Sequence, residues 1–143
     1  MRLRLALFTL VMVFVAACEP LISPYRETAY QNATTLKARS AALVAKASDP
    51  YPQHRTEAEA LLVAVDAAYE YSRGLPRNEV SAKQWDIMRD PNGNLLGGFI
   101  GRWRDKGRLN PFVRDEGAEL IAEGFDTIIC VEINKRAADS CTN

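Results

Sequence analysis

The residues able to do chemistry in this 143-residue chain are few and scattered. His54 is the single histidine. A Ser–His–Asp or Cys–His relay would have to use it. It stands in the connection Asp49-Pro-Tyr-Pro-Gln-His54, where an exposed loop histidine is expected. Glu57, Glu59, Asp115, Glu116, Glu119 and Glu123 are the carboxylates that could cleave a glycan if two of them converged. Glu57 and Glu59 fall where a helix start favours acids, and Glu116, Glu119 and Glu123 follow helix-surface spacing. A cell-wall glycan hydrolase is therefore a second alternative only, and the expectation is no enzyme. With one histidine and no close pair of cysteines, neither a metal nor another cofactor is expected.

Binding chemistry concentrates in Arg102-Trp-Arg-Asp-Lys-Gly-Arg108. On a helical wheel Leu95, Leu96, Phe99, Ile100 and Trp103 make an apolar arc, with Arg102 and Lys106 at one edge and Arg104 nearer the other. That layout suits a helix lying at a lipid surface or a core helix whose cationic stems reach over its rim. The core arrangement is expected, because a bundle needs this apolar face. Arg102, Trp103, Arg104, Lys106 and Arg108 remain the candidate binding residues, for phosphate headgroups or for an acidic partner. Nearby Gly93, Gly97, Gly98 and Gly101 match neither G-x-G-x-x-G nor G-x-x-x-x-G-K-[ST]. Close helix approach is the expected reason for them, and for Gly117 and Gly124.

The first eighteen residues carry an address. Met1-Arg-Leu-Arg4 is a positive start, Leu5 to Val15 is apolar except for Thr9, and Val15-Ala-Ala-Cys18 follows. A charged start, an apolar run and small residues at the exit describe a secretory signal peptide. With cysteine at the exit, the leader resembles the lipobox of bacterial lipoprotein precursors. The resemblance covers the leader alone. It implies that Cys18 takes a diacylglycerol and that a peptidase cuts before it, leaving a membrane anchor of fatty-acyl chains such as palmitate. Aspartate after the cysteine is that family's usual inner-membrane retention signal. Glu19 in its place implies the periplasmic face of the outer membrane in a host with two membranes. Cys130 and Cys141 then form an even pair, expected to bridge in an oxidising compartment.

Removing the leader also removes Arg2 and Arg4, so 16 basic residues face 18 acidic ones, a formal charge of −2. A near-neutral chain lacks the basic field that nucleic-acid binding needs. Residues 1–17 thus read as signal peptide, 18–24 as the lipidated cysteine and a short linker, and 25–143 as one domain.

Periodicity supplies the elements. Ser23-Pro24 suggests a cap and first helical position, followed by Ala29, Ala33, Leu36, Ser40, Leu43 and Ala47 on one face. Thr56-Glu-Ala-Glu59 suggests a capping box ahead of Ala58, Leu61, Leu62, Val65, Ala68, Tyr69 and Ser72, with Gly74 as the stop. Ser81-Ala-Lys-Gln84 suggests another, opening a short helix with Trp85 and Met88 on one side. Asn110-Pro111 starts the last helix, with Val113, Gly117, Leu120, Ile121, Gly124, Phe125 and Ile128 inward and Lys135 and Arg136 at its end. The expected fold is all-α, a small helical bundle of about four main helices plus a short one. The expected role is a lipid-anchored envelope protein that binds a protein partner without catalysis. The first alternative is a bundle that holds lipid or another small apolar ligand. Mass spectrometry of the N-terminal peptide from protein made in a bacterial host should find acylated Cys18, and Cys18→Ser should leave the leader uncut.

Overall fold

The computed structural model describes residues 23–135 and Cys141. The leader, Cys18, the linker as far as Ile22, and Arg136 lie outside the described residues. Among those described, the chain forms five helices and no strand: α1 Glu27–Val44, α2 Tyr51–Gly74, α3 Glu79–Arg89, α4 Leu96–Lys106 and α5 Pro111–Ile133. The β-branched run Thr127–Val131 continues α5. None of these helices is long and apolar enough to cross a membrane.

The helices close a ring in which α1 packs on α2, α2 on α3, α3 on α5 and α5 on α1. Contacts between neighbours fix the antiparallel order. Lys37 of α1 meets Asp126 of α5, while Arg114 at the start of α5 reaches Ser48 just past the end of α1. Trp85 of α3 sets its ring edge-on to Phe125 of α5, 6.0 Å between centroids. The short α3 covers only the C-terminal part of α2. Beyond it α4 continues toward the other end of the bundle, contacting α2 and α3 and placing Phe99 against Gly117 of α5. The architecture is thus a four-column bundle whose fourth column is broken, α3 and α4 doing together what one long helix would do.

Periodicity identified the buried faces. Ala29, Ala33, Leu36, Ser40, Leu43 and Ala47 are all buried, as are Ala58, Leu61, Val65, Ala68 and Ser72 on α2, and Trp85 and Met88 on α3. Leu96, Phe99, Ile100 and Trp103 are buried along α4. Leu120 is an exception: it is 41% exposed, on the outward side of α5.

Helix starts depart from expectation in three places. Ser23 does not cap α1, which begins at Glu27; instead its backbone N–H donates to the Arg77 carbonyl at 2.9 Å and pins the chain to the α2–α3 corner. Helix α2 starts at Tyr51 rather than Thr56, because Pro52 sits in its first turn, where a missing N–H is harmless. Helix α3 starts at Glu79, and Ser81 is buried in its first turn instead of capping. The Asn110 cap does form, its Oδ1 accepting from the Val113 N–H at 2.9 Å.

At the C-terminal end of α5, Cys130 and Cys141 are bridged, with Cα atoms 5.8 Å apart. Closing this short loop constrains the unfolded chain by about 3 kcal/mol in the entropy model. Within the bridged segment lies an ion pair that the sequence pattern did not disclose. Lys135 turns inward rather than complementing the helix dipole, and its Nζ lies 2.5 Å from the Glu132 carboxylate, both side chains fully buried. Apart from this ion contact, neither the Glu132 carboxylate nor the Lys135 Nζ has a hydrogen-bond partner among the described residues. Losing one charge from such a pair strands its mate, whereas replacing both with apolar groups is often tolerated. Glu132→Ala should therefore cost about 3–5 kcal/mol in chemical denaturation. The double change Glu132→Leu with Lys135→Met should restore stability to near the starting value.

Candidate functional site

The break between α3 and α4 generates the site. Arg89 closes α3, Asp90-Pro-Asn-Gly-Asn94 turns the chain, and α4 opens at Leu96. The turn is held by Asp90, whose Oδ1 accepts from the Asn92 N–H at 2.9 Å and whose backbone carbonyl accepts from the Gly93 N–H at 3.1 Å. The first turn of α4 then lies directly against this segment. A Cβ on Gly97 would collide with the Arg89 and Asp90 carbonyls, and a Cβ on Gly98 with the Gly93 carbonyl. These two glycines serve close backbone approach, as expected, and the chain's own carbonyls occupy the space a phosphate cradle would need. Gly117 makes room for the Phe99 ring, and Gly124 for the ends of Met88 and Leu95.

The other end of α4 is fixed by Trp103. Its indole is fully buried, and Nε1 donates to the Asp49 carbonyl at 3.0 Å. Tyr51 meets it edge-on at 5.4 Å between centroids, and His54 lies beside it at 5.6 Å. His54 is consequently not a loop histidine. It stands in the first turn of α2, its side chain mostly covered, with Asp49 at 3.5 Å and Glu57 at 3.9 Å. Backbone bonds complete the attachment: Tyr51 N–H to the Gly107 carbonyl at 2.8 Å, and Leu109 N–H to the Ala47 carbonyl at 2.9 Å. Gly107 ends the helix with φ of +74°, in the left-handed region.

Held at both ends, α4 forms one wall of an open groove of about 650 Å³. Leu62 and Asp66 of α2, Arg89, the Pro91–Gly93 turn, and Gly97, Gly98 and Ile100 to Arg102 with Arg104 and Asp105 surround it. Five charged side chains define its electrostatics. Arg89 Nη1 contacts Asp66 at 3.2 Å, its other amine contacts Asp86 at 3.2 Å, and its guanidinium lies 3.8 Å above the Tyr69 ring. Burial alone would lower the Arg89 pKa, but the hydrogen bonds to Asp66 and Asp86 outweigh it, holding the group above its ordinary range. Arg104 pairs with its neighbour Asp105 at 3.2 Å, both exposed. Arg102 meets no carboxylate among the described residues. Its two terminal amines donate to the Gly93 and Asn94 carbonyls at 3.3 and 3.5 Å.

Of the five candidate binding residues, Arg102 and Arg104 line this groove, and Trp103 supports it from behind within the core. Lys106 and Arg108 are exposed toward the end of the bundle and do not border it. Arg89, Asp66 and Leu62 come to the groove from other helices. No local spacing signals them, since only the packing of α2 against the broken column brings them there.

The carboxylates considered for glycan cleavage are spread over different surfaces. Glu57 is engaged by Lys46 at 3.0 Å. The Asp115 carboxylate is hydrogen-bonded by Arg114 at 2.7 Å, which holds its pKa below the usual carboxylate range. Glu116, Glu119 and Glu123 are exposed along α5. A smaller apolar groove of about 260 Å³ lies between α1 and α5, over Ala41, Val44, Ala45, Ala122 and Phe125, with Lys37 and Arg114 at its rim.

The glycines divide by what surrounds them, and stability measurements should follow that division. Gly98→Ala should destabilise the fold by about 1–3 kcal/mol or more, because backbone must shift to admit the methyl group. Gly101→Ala meets only the Pro91 carbonyl, 3.8 Å away, and should stabilise by up to about 1 kcal/mol through helix propensity. Thermal or urea melts of the two variants read this opposite sign directly.

Compared with known proteins, the chain matches no family model, no curated protein and no solved structure.

Proposed function

We propose that this chain is a lipid-anchored cell-envelope protein that binds a protein partner through the groove over the broken column, without catalysis of its own. The observation that carries this reading is the division of labour on α4. Its apolar arc, Leu96, Phe99, Ile100 and Trp103, is buried in the bundle, while Arg102 and Arg104 face the groove. A helix lying in a lipid interface needs its apolar face free. That of α4 is occupied, which favours a partner met from the polar side.

Anchor geometry supports the same reading. Acylation at Cys18 places the lipid five residues ahead of Ser23, at most about 18 Å of extended chain. Ser23 is tied to Arg77 at the α2–α3 corner, so that corner would stand near the membrane. Leu62 and Asp66 lie 12 and 8 residues from the Gly74 end of α2, about 18 and 12 Å along the helix axis. The groove therefore opens above the corner, on the side of the bundle, within reach of a protein sharing the membrane surface. Two or more acyl chains make such anchoring stable, and Glu19 after the lipobox-like cysteine supports the periplasmic face of the outer membrane in a host with two membranes.

The small-ligand alternative attaches to the α1–α5 groove, whose alanine floor is apolar. At about 260 Å³ it falls just below the usual range of ligand pockets, about 300–1,000 Å³. The groove at the broken column is within that range, but its rim is charged.

Photocrosslinking in intact bacteria tests the proposal. A benzophenone amino acid at position 104 should capture one dominant envelope protein, and the same probe at position 120 on the outer side of α5 should not. Capture of the same protein from both positions, or of none from position 104, would contradict it.

A further inference from the structure

We infer that the groove over Gly101 receives a segment of the partner protein that carries a carboxylate, with Arg102 as the residue that takes it; this rests on the binding role proposed above. Two independent features meet there.

The first is a glycine with no internal reason. Glycine inside a helix is unfavourable relative to alanine. Gly97, Gly98, Gly117 and Gly124 each have a neighbour that a Cβ would crowd, whereas a Cβ on Gly101 would stand 3.8 Å from its nearest neighbour among the described residues, the Pro91 carbonyl, in ordinary contact. Gly101 lines the groove. The absence of a side chain therefore makes room for none of the described residues, and it lowers the groove floor to bare helix backbone, the surface another chain needs for close approach.

The second is charge. The groove holds Arg89, Arg102 and Arg104 against Asp66 and Asp105. Asp66 is taken by Arg89 and Asp105 by Arg104, which leaves Arg102 as the groove cation with no carboxylate partner among the described residues. Its two hydrogen bonds are long and go to neutral carbonyls. A guanidinium offers five N–H donors in a fixed fork, and a carboxylate meets that fork with shorter bonds about twice as strong as neutral ones. The exposed Arg104–Asp105 pair contributes little to stability, so Arg104 is also able to turn toward an incoming acid.

The probe is a library of random hexapeptides displayed on phage, selected against the full chain in neutral detergent. Selected peptides should be enriched in Asp and Glu, and changing those residues to Asn or Gln should weaken binding at least tenfold. Arg102→Gln and Gly101→Leu should each lose tenfold or more, and Lys106→Gln less than twofold. Arg102→Lys keeps the charge without the fork, and should fall between wild type and Arg102→Gln. Melting curves establish that each variant is folded, and Gly101→Ala provides a smaller filling change should Gly101→Leu fail that control. Selection without acidic enrichment, full binding by Arg102→Gln, or displacement of the peptides by phosphatidylglycerol vesicles would each overturn the inference. The two levels separate cleanly. A partner crosslinked from position 104 through a segment without acidic residues sinks this inference alone, whereas no crosslinked partner sinks the binding role as well.

Discussion

The close approach of the α4 backbone to the end of α3 is the constraint on which the rest of the structure depends. It exists because Gly97 and Gly98 lack a Cβ where the carbonyls of Arg89, Asp90 and Gly93 stand. A continuous fourth helix would have packed along α2 without interruption. Two glycines in one helical turn are costly for propensity, but here they allow a six-residue turn to fold back against the helix it introduces. The bundle keeps four columns and gains a recess in the side of one of them. Leu62, Asp66, Arg89 and Arg102 become neighbours only through that recess.

A recess of this kind is useful only if its walls are fixed, and the opposite end of α4 is secured by different means. The Trp103 indole reaches across to the Asp49 carbonyl, with Tyr51 and His54 around it. This polar anchor inside an apolar setting joins α4 to the α1–α2 connection. The other pole of the molecule has a contrasting character. There the Ser23–Arg77 backbone bond, the Cys130–Cys141 bridge and the buried Glu132–Lys135 pair gather around the ends of α2 and α5. A buried ion pair is poor evidence of stability, but the bridge beside it holds Cys141 against the end of α5. The pole nearest the expected anchor is thus covalently and electrostatically tied, while the groove opens farther along the bundle.

Much of this was legible in the sequence, and the failures share a cause. The seven-residue rhythm of Ala29, Ala33, Leu36, Ser40 and Leu43 reports burial on one helix face, which depends only on that helix. The Asn110-Pro111 start was readable because cap and proline agree. Thr56 and Ser81 misled because a capping box is a local preference, and here Pro52 and the α2–α3 corner start the helices earlier. Leu120 misled because the packing face of α5 is narrower than its apolar pattern. His54 reads as a loop residue only while α2 is taken to start at Thr56; with the start at Tyr51 it falls in the first turn. Arg102 and Arg104 were identifiable from their position beside an apolar arc, but Arg89 and Asp66 were not, since their relation to the groove is purely tertiary. Gly101 could not be told apart from Gly97 and Gly98 until their surroundings were known.

The central claim is that the partner seats on the broken column. Amide hydrogen exchange, read along the full chain in membranes of the producing cells and again after extraction and purification, tests it most directly. The account predicts that exchange in the native membrane is slower at Asn92, Gly93, Gly101, Arg102, Arg104 and Asp105, which line the groove, with the outer face of α5 unchanged. Protection centred on Glu116–Glu123, or no difference at the groove, would contradict it.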